Sequence, residues 1–101
     1  MTFEESDAWI FLAIEQVAPS EGVTVKGISD IADGINHAVP SEKEMGTAFK
    51  RLSAAELIEK KGKKYYLTEA GKQLSDSATS PTLLAKLKEF HKLLNGLYNK
   101  N

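Results

Sequence analysis

A mainly helical domain carrying one small antiparallel β-hairpin is the fold class that the 101 residues predict, and three observations carry it. Apolar residues recur at helical spacing in at least four stretches, one short pair of alternating segments meets at Gly62, and capping signals stand where the helices should begin. The length fits a single domain spanning residues 1–101, large enough for a small core without metal or disulfides.

The first helix should run from about Phe3 to Val17 and stop before Pro19, with Thr2 and Glu5 at capping-box spacing. Trp9, Ile10, Phe11, Leu12, Ile14 and Val17 make it apolar nearly all round, so it should be buried on more than one side. Trp9 is best read as core filling rather than as a ligand anchor. Val23 to Val25 reads as a short strand or an extended lead-in. Ile28, Ile31, Ala32 and Ile35 then mark a second helix of about ten residues, ending near Asn36. His37 has no carboxylate, cysteine or second histidine at ligand spacing, which makes it a turn histidine before Pro40.

Ser41 and Glu44 form a second capping-box pair and open the third helix. With Met45 taken as the centre of its inner face, Ala48, Phe49 and Leu52 fall within about 60°. The outer face holds Lys43, Thr47, Lys50 and Ala54, with Gly46 and Arg51 at its margins. Residues 57–60 and 64–68 alternate as strands joined through Lys61, Gly62 and Lys63. Ile58, Tyr65 and Leu67 should face inward, leaving Glu59, Lys61, Lys64 and Tyr66 outward. A helix with a small, basic outer face followed at once by a basic hairpin is what a winged helix-turn-helix presents to DNA.

The run Phe49-Lys50-Arg51-Leu52-Ser53-Ala54-Ala55-Glu56-Leu57-Ile58-Glu59-Lys60-Lys61, followed by Tyr65-Tyr66-Leu67-Thr68-Glu69-Ala70-Gly71, resembles winged-helix regulators of the MarR and PadR type. In those families a Leu-Ile pair opens the wing and a Leu-Thr-Glu-x-Gly segment closes it. The resemblance covers roughly residues 22–74. It implies a DNA-binding regulator and, through the fold analogy, a homodimer. Glu56 stands where those families usually have glycine, and the wing is very short.

Thr68 should cap a fourth helix that carries Leu74 and frays from Ser75 onward. Ser80 and Pro81 should start a fifth as N-cap and first position. That helix places Leu83, Leu87, Phe90, Leu94 and Leu97 at spacings of 4, 3, 4 and 3, a seam of about two heptads widened by Leu84, Leu93 and Tyr98. It can pack on helix one of its own chain or on a partner's copy; the fold analogy favours a shared dimer interface through those five residues.

Charge is segregated along the chain. Residues 1–21 carry five acids and no Lys or Arg, whereas residues 50–72 hold seven Lys or Arg against three acids, within a net charge of −1. With no cysteine, thiolate zinc sites, disulfides and cysteine nucleophiles are excluded. No nucleophile elbow, phosphate loop, metal-ligand cluster or dinucleotide turn is present, so neither an enzyme, a cofactor nor a small-molecule substrate is expected. No apolar run approaches the ~20 residues of a membrane span, and the acidic start lacks signal-peptide character, which points to the cytoplasm. The expected function is therefore DNA-binding transcriptional regulation. Ser41, Lys43, Gly46, Thr47, Lys50 and Arg51 would meet the major groove and its phosphates, with Lys61, Lys63 and Lys64 on phosphates from the wing. The competing expectation is a winged-helix protein-interaction module that never touches DNA.

Overall fold

The computed structural model describes residues 2–17 and 20–98, with the side chains of Leu97 and Tyr98, like Pro19, outside what it describes. The elements run α1 (Glu5–Glu15), β1 (Val23–Thr24), α2 (Val25–Asn36), α3 (Glu42–Ala54), β2 (Ile58–Lys61), β3 (Lys64–Leu67), α4 (Glu69–Ser77) and α5 (Leu83–Tyr98). Five helices thus accompany a three-stranded antiparallel sheet of order β1-β3-β2.

Burial is concentrated on α1, where every residue from Asp7 to Ile14 is buried. Helices α2, α3 and α5 pack around it and β3 touches it, as an all-round apolar helix requires. Trp9 is core, with its indole N–H donating to the Ala32 carbonyl at 2.9 Å. Phe11 meets Phe90 of α5 edge to face, centroids 5.0 Å apart. The start of α1 differs from the sequence expectation. The helix opens after Glu4, whose N–H donates to Asp7 Oδ2 at 2.8 Å, so the working pair is Glu4 and Asp7 rather than Thr2 and Glu5.

Helix α2 begins three residues before Ile28 because Thr24 caps it, Oγ1 accepting from Gly27 N at 3.1 Å. Residues Val23 and Thr24 pair with Tyr65 and Lys64, turning the two-stranded hairpin into a three-stranded sheet. Helix α3 has the expected box: Glu44 N donates to Ser41 Oγ at 3.0 Å and Ser41 N to Glu44 Oε1 at 2.9 Å. It ends in a left-handed cap. Glu56 takes φ 60°, its N–H reaches Ser53 O, and Leu57 N reaches back to Leu52 O at 3.0 Å. This is a Schellman closure with both Leu52 and Leu57 buried, and the glycine usual at its left-handed position is replaced by glutamate.

The hairpin pairs Ile58 with Leu67 through to Lys61 with Lys64, so Gly62, at φ 64°, and Lys63 form a two-residue turn. Ile58, Tyr65 and Leu67 face inward as expected. Thr68 caps α4, with Gly71 N donating to its Oγ1 at 3.0 Å. A Cβ at Gly71 would run into the carbonyl oxygen of Leu57, which gives the Leu67-to-Gly71 segment a steric reason for ending in glycine.

Helix α5 starts at Leu83 and not at Pro81. Thr82 Oγ1 accepts from Ala85 N, while Ser80 instead donates from N and Oγ to Glu89 Oε1 at 3.0 and 2.6 Å. The Ser80 hydroxyl, then the Ser80 N–H, hold the Glu89 carboxyl below its ordinary pKa. The proposed dimer seam is also corrected. Leu87, Phe90 and Leu94 are buried against α1 inside the chain, at 4%, 0% and 0% exposure, and so cannot line a surface between subunits. Leu83 and the neighbouring Leu84 remain exposed, and the Leu97 side chain lies outside the described residues. The stripe completes one core because α1 offers it an apolar surface of its own.

Two measurements check this packing. Phe90→Ala should cost about 3–5 kcal/mol, with an unfolding midpoint that does not vary with protein concentration, as a core truncation demands and a dimer contact does not. Glu56→Gly should raise stability by about 0.5–1 kcal/mol, relief of left-handed strain outweighing the added freedom of the unfolded chain; chemical denaturation would show it as a higher midpoint at unchanged slope.

Candidate functional site

Exposed lysines stand on the outward surface of α3 and on both sides of the neighbouring hairpin, Lys60 on the side of Tyr65 and Lys61 and Lys64 on the side of Tyr66. Lys43, Gly46 and Lys50 are exposed on α3 and Thr47 is half-buried beside them; Lys60, Lys61, Lys63 and Lys64 are exposed on the hairpin. The two parts are joined by an aromatic stack, Phe49 of α3 lying on Tyr65 of β3 with centroids 4.2 Å apart and rings 15° from parallel. The Lys60 ammonium lies 5.8 Å from the Tyr65 centroid. Stacked rings hold the hairpin at a fixed angle to α3, so that cations on both present a defined spacing.

Not every expected residue is available. Arg51 is engaged by α1: its Nη1 contacts Asp7 Oδ2 at 2.9 Å and Glu4 Oε1 at 3.2 Å. Asp7 is 0% exposed and Arg51 only 27%. The guanidinium thus serves a buried carboxylate, and the expectation that Arg51 contacts phosphate is corrected. Its pKa is raised, first by the hydrogen bond to Asp7 and then by that to Glu4. A base so raised keeps its charge at every pH below the guanidinium range. Ser41 is also committed, its hydroxyl oxygen accepting from Glu44 N. Lys61 pairs with Glu59 at 3.2 Å, an exposed contact that a ligand can displace at little cost. Among the described residues Lys64 reaches the Glu21 carbonyl, at 3.4 Å.

Lys60 is the cation that sequence reasoning missed. It shares the inward face of β2 with Ile58, yet at the hairpin's edge that face opens beside Phe49 of α3. The alternation that placed Ile58 inward was the available signal, because residue i+2 lies on the same side.

Three shallow depressions border the face. One of about 320 Å³ is lined by Thr47, Lys50, Arg51 and Ala54. Another of about 200 Å³ brings Lys43 and Thr47 together with Glu4, Ser6 and Glu44. A third, of about 280 Å³, continues along α1 past Glu4, Glu5 and Trp9. The cationic face is therefore basic at its hairpin end and acidic where α1 begins. Among the described residues no group of three or more His, Cys, Asp or Glu could hold a metal ion, and no helix is long and apolar enough to cross a membrane. His91 is structural, its Nε2 donating to the Phe3 carbonyl at 2.9 Å beside Asn95, which exchanges two hydrogen bonds with the same residue.

No protein-family model matches the chain, and neither a curated protein nor a solved structure matches it.

Arg51→Ala should lower stability by about 2–3 kcal/mol, somewhat less than breaking a fully buried pair costs, because the guanidinium keeps some contact with water. Lys50→Ala, one residue away on the open face, should change stability by less than about 0.5 kcal/mol. Equal losses for the two in thermal or chemical unfolding would contradict the assignment.

Proposed function

We propose that the chain is a winged-helix DNA-binding protein, a transcriptional regulator that sets α3 in the major groove and the β2–β3 hairpin on flanking phosphates. The order of helix, strand, two helices and hairpin, with β1 closing against β3, supports this architecture. The observation that carries the reading is the set of exposed lysines on the two stacked elements. Among the described residues Lys43, Lys50, Lys60, Lys63 and Lys64 have no ion-pair partner; Lys60 lies by the Tyr65 ring and Lys64 by the Glu21 carbonyl. On a duplex, Thr47 lies where base edges would be, with open space over Gly46 beside it. Lys50, Lys60, Lys63 and Lys64 suit phosphate, being flexible point charges without the planar fork that base recognition favours.

A second reading, a protein-interaction module that does not bind DNA, draws on the carboxylates of Glu4, Glu5 and Glu44 beside Lys43. Salt dependence separates the two. Titration of a labelled mixed-sequence duplex at about 50 and 200 mM salt should show binding that weakens steeply with salt. The Lys60→Gln/Lys63→Gln/Lys64→Gln variant should flatten the logarithmic slope by up to ~2.7, at about 0.9 per phosphate lost. Thr47→Ala should alter preference among sites by about 1 kcal/mol at one position and leave bulk affinity nearly unchanged. A triple variant that binds as tightly as the parent at low salt would leave the interaction-module reading in its place.

A further inference from the structure

We infer that Glu4 and Glu44 keep bulk DNA off the N-terminal half of α3, so that duplexes are held from the hairpin end and sites are discriminated beside Thr47. The inference rests on the DNA-binding reading above and concerns how that face selects. The depression containing Thr47 and Lys43 is walled by Glu4, from the residue before α1, and by Glu44, from the first turn of α3. Both carboxylates are tethered, Glu4 through an exposed contact. Glu44 Oε1 accepts from Ser41 N at 2.9 Å, and Glu4 Oε1 accepts from Arg51 Nη1 at 3.2 Å. Each acid also suits the N-terminus of its own helix, Glu44 in the first turn of α3 and Glu4 as the N-cap of α1; the Asp7–Arg51 contact then brings Glu4 to the side of α3.

Carboxylates at this point have two effects on a duplex. A phosphate approaching Lys43 meets two negative charges for one positive, so the sequence-independent part of binding is opposed at this end. A base edge that offers an amino group, cytosine N4 or adenine N6, is matched instead, because carboxylate oxygens accept from such donors. At the other end Lys50 and the hairpin lysines meet no such opposition. The face thus has a polarity: backbone attraction at the hairpin, selection at the α1 side.

The test uses Glu44→Gln, which preserves the capping box because glutamine serves at that position, and Glu4→Gln/Glu44→Gln. Each is titrated with the mixed-sequence duplex at low and raised salt, and sites are selected from random duplexes with the parent and the double variant. The expected result is roughly a twofold gain in bulk affinity per carboxylate removed at about 50 mM salt, shrinking at about 200 mM. The selected sites should also lose preference at one position that the parent fills with a C or an A. If the parent binds and neither variant binds more tightly, the inference is overturned while the DNA-binding reading stands. If neither parent nor variants bind, both fall together. Binding by the double variant alone would support the carboxylate block in its strongest form. Should loss of the Glu4–Arg51 contact unfold the double variant, Glu44→Gln, which leaves that contact intact, decides the outcome.

Discussion

Asp7 carries a carboxylate into the most buried part of the molecule, and the arrangement of α1 against α3 follows from how that charge is met. Its Oδ2 takes the Glu4 N–H and the Arg51 guanidinium, whereas Oδ1 has no partner among the described residues. A charge so placed costs several kcal/mol in desolvation, which only a close and well-oriented counter-charge offsets. Well-packed apolar residues would often stabilise such a site as well or better, so the pair does more for register than for total stability. The neighbours of Asp7 on α1, Ala8 to Ile14, are apolar and would tolerate sliding along α3. One ion pair from the first turn of α1 to the last turn of α3 removes that freedom. It also fixes Glu4 beside Glu44 and Thr47.

The hairpin is positioned by a different kind of constraint. The Schellman closure at Glu56 turns the chain from α3 into β2 within two residues, and the Phe49–Tyr65 stack then sets the angle of the sheet. Helix α4 closes the unit from the other side, its Gly71 lying against the Leu57 carbonyl and Thr68 Oγ1 donating to the Glu56 carbonyl at 2.5 Å. Glu56 is thus surrounded by backbone interactions that overrule its side chain's poor fit to a left-handed φ. Sterics and backbone hydrogen bonds, with no charge involved, hold the lysines of the hairpin at a set distance from those of α3.

Features governed by local chemistry were legible in the sequence. The Ser41–Glu44 box, the Thr68 cap, the turn at Gly62 and the inward set of Ile58, Tyr65 and Leu67 each depend on residues within a few positions of one another. Where two local solutions of equal spacing competed, spacing alone could not choose. Thr2–Glu5 and Glu4–Asp7 share one spacing, and the second also meets Arg51, forty-four residues away from Asp7. Ser80 and Thr82 both suit an N-cap, and Glu89 captured the first. The leucine stripe of α5 reads identically whether it meets α1 or a second copy, because an amphipathic pattern specifies an apolar partner and not its chain. Arg51 and Lys50 are likewise indistinguishable as neighbouring cations until the buried carboxylate is seen.

The same long-range contacts decide where the charges of the face lie. A chain of net −1 would ordinarily be a weak candidate for a polyanion. Folding does not disperse its charges, however. It sets the acidic start of α1 along α3, where Glu4 lies beside Lys43, Glu44 and Thr47 and also meets Arg51, and leaves Lys50 and the hairpin lysines exposed. If the face binds DNA, charge segregated in this way would orient the approaching polyanion instead of simply attracting it. On the DNA-binding reading, few phosphate contacts and an acidic border both lower bulk affinity. What a genome-bound regulator needs is the ratio of specific to bulk affinity, and that ratio rises when the bulk term is suppressed without loss of the contacts that read bases. A weakly charged chain with segregated charge meets that requirement in a way that a uniformly basic one of the same size does not.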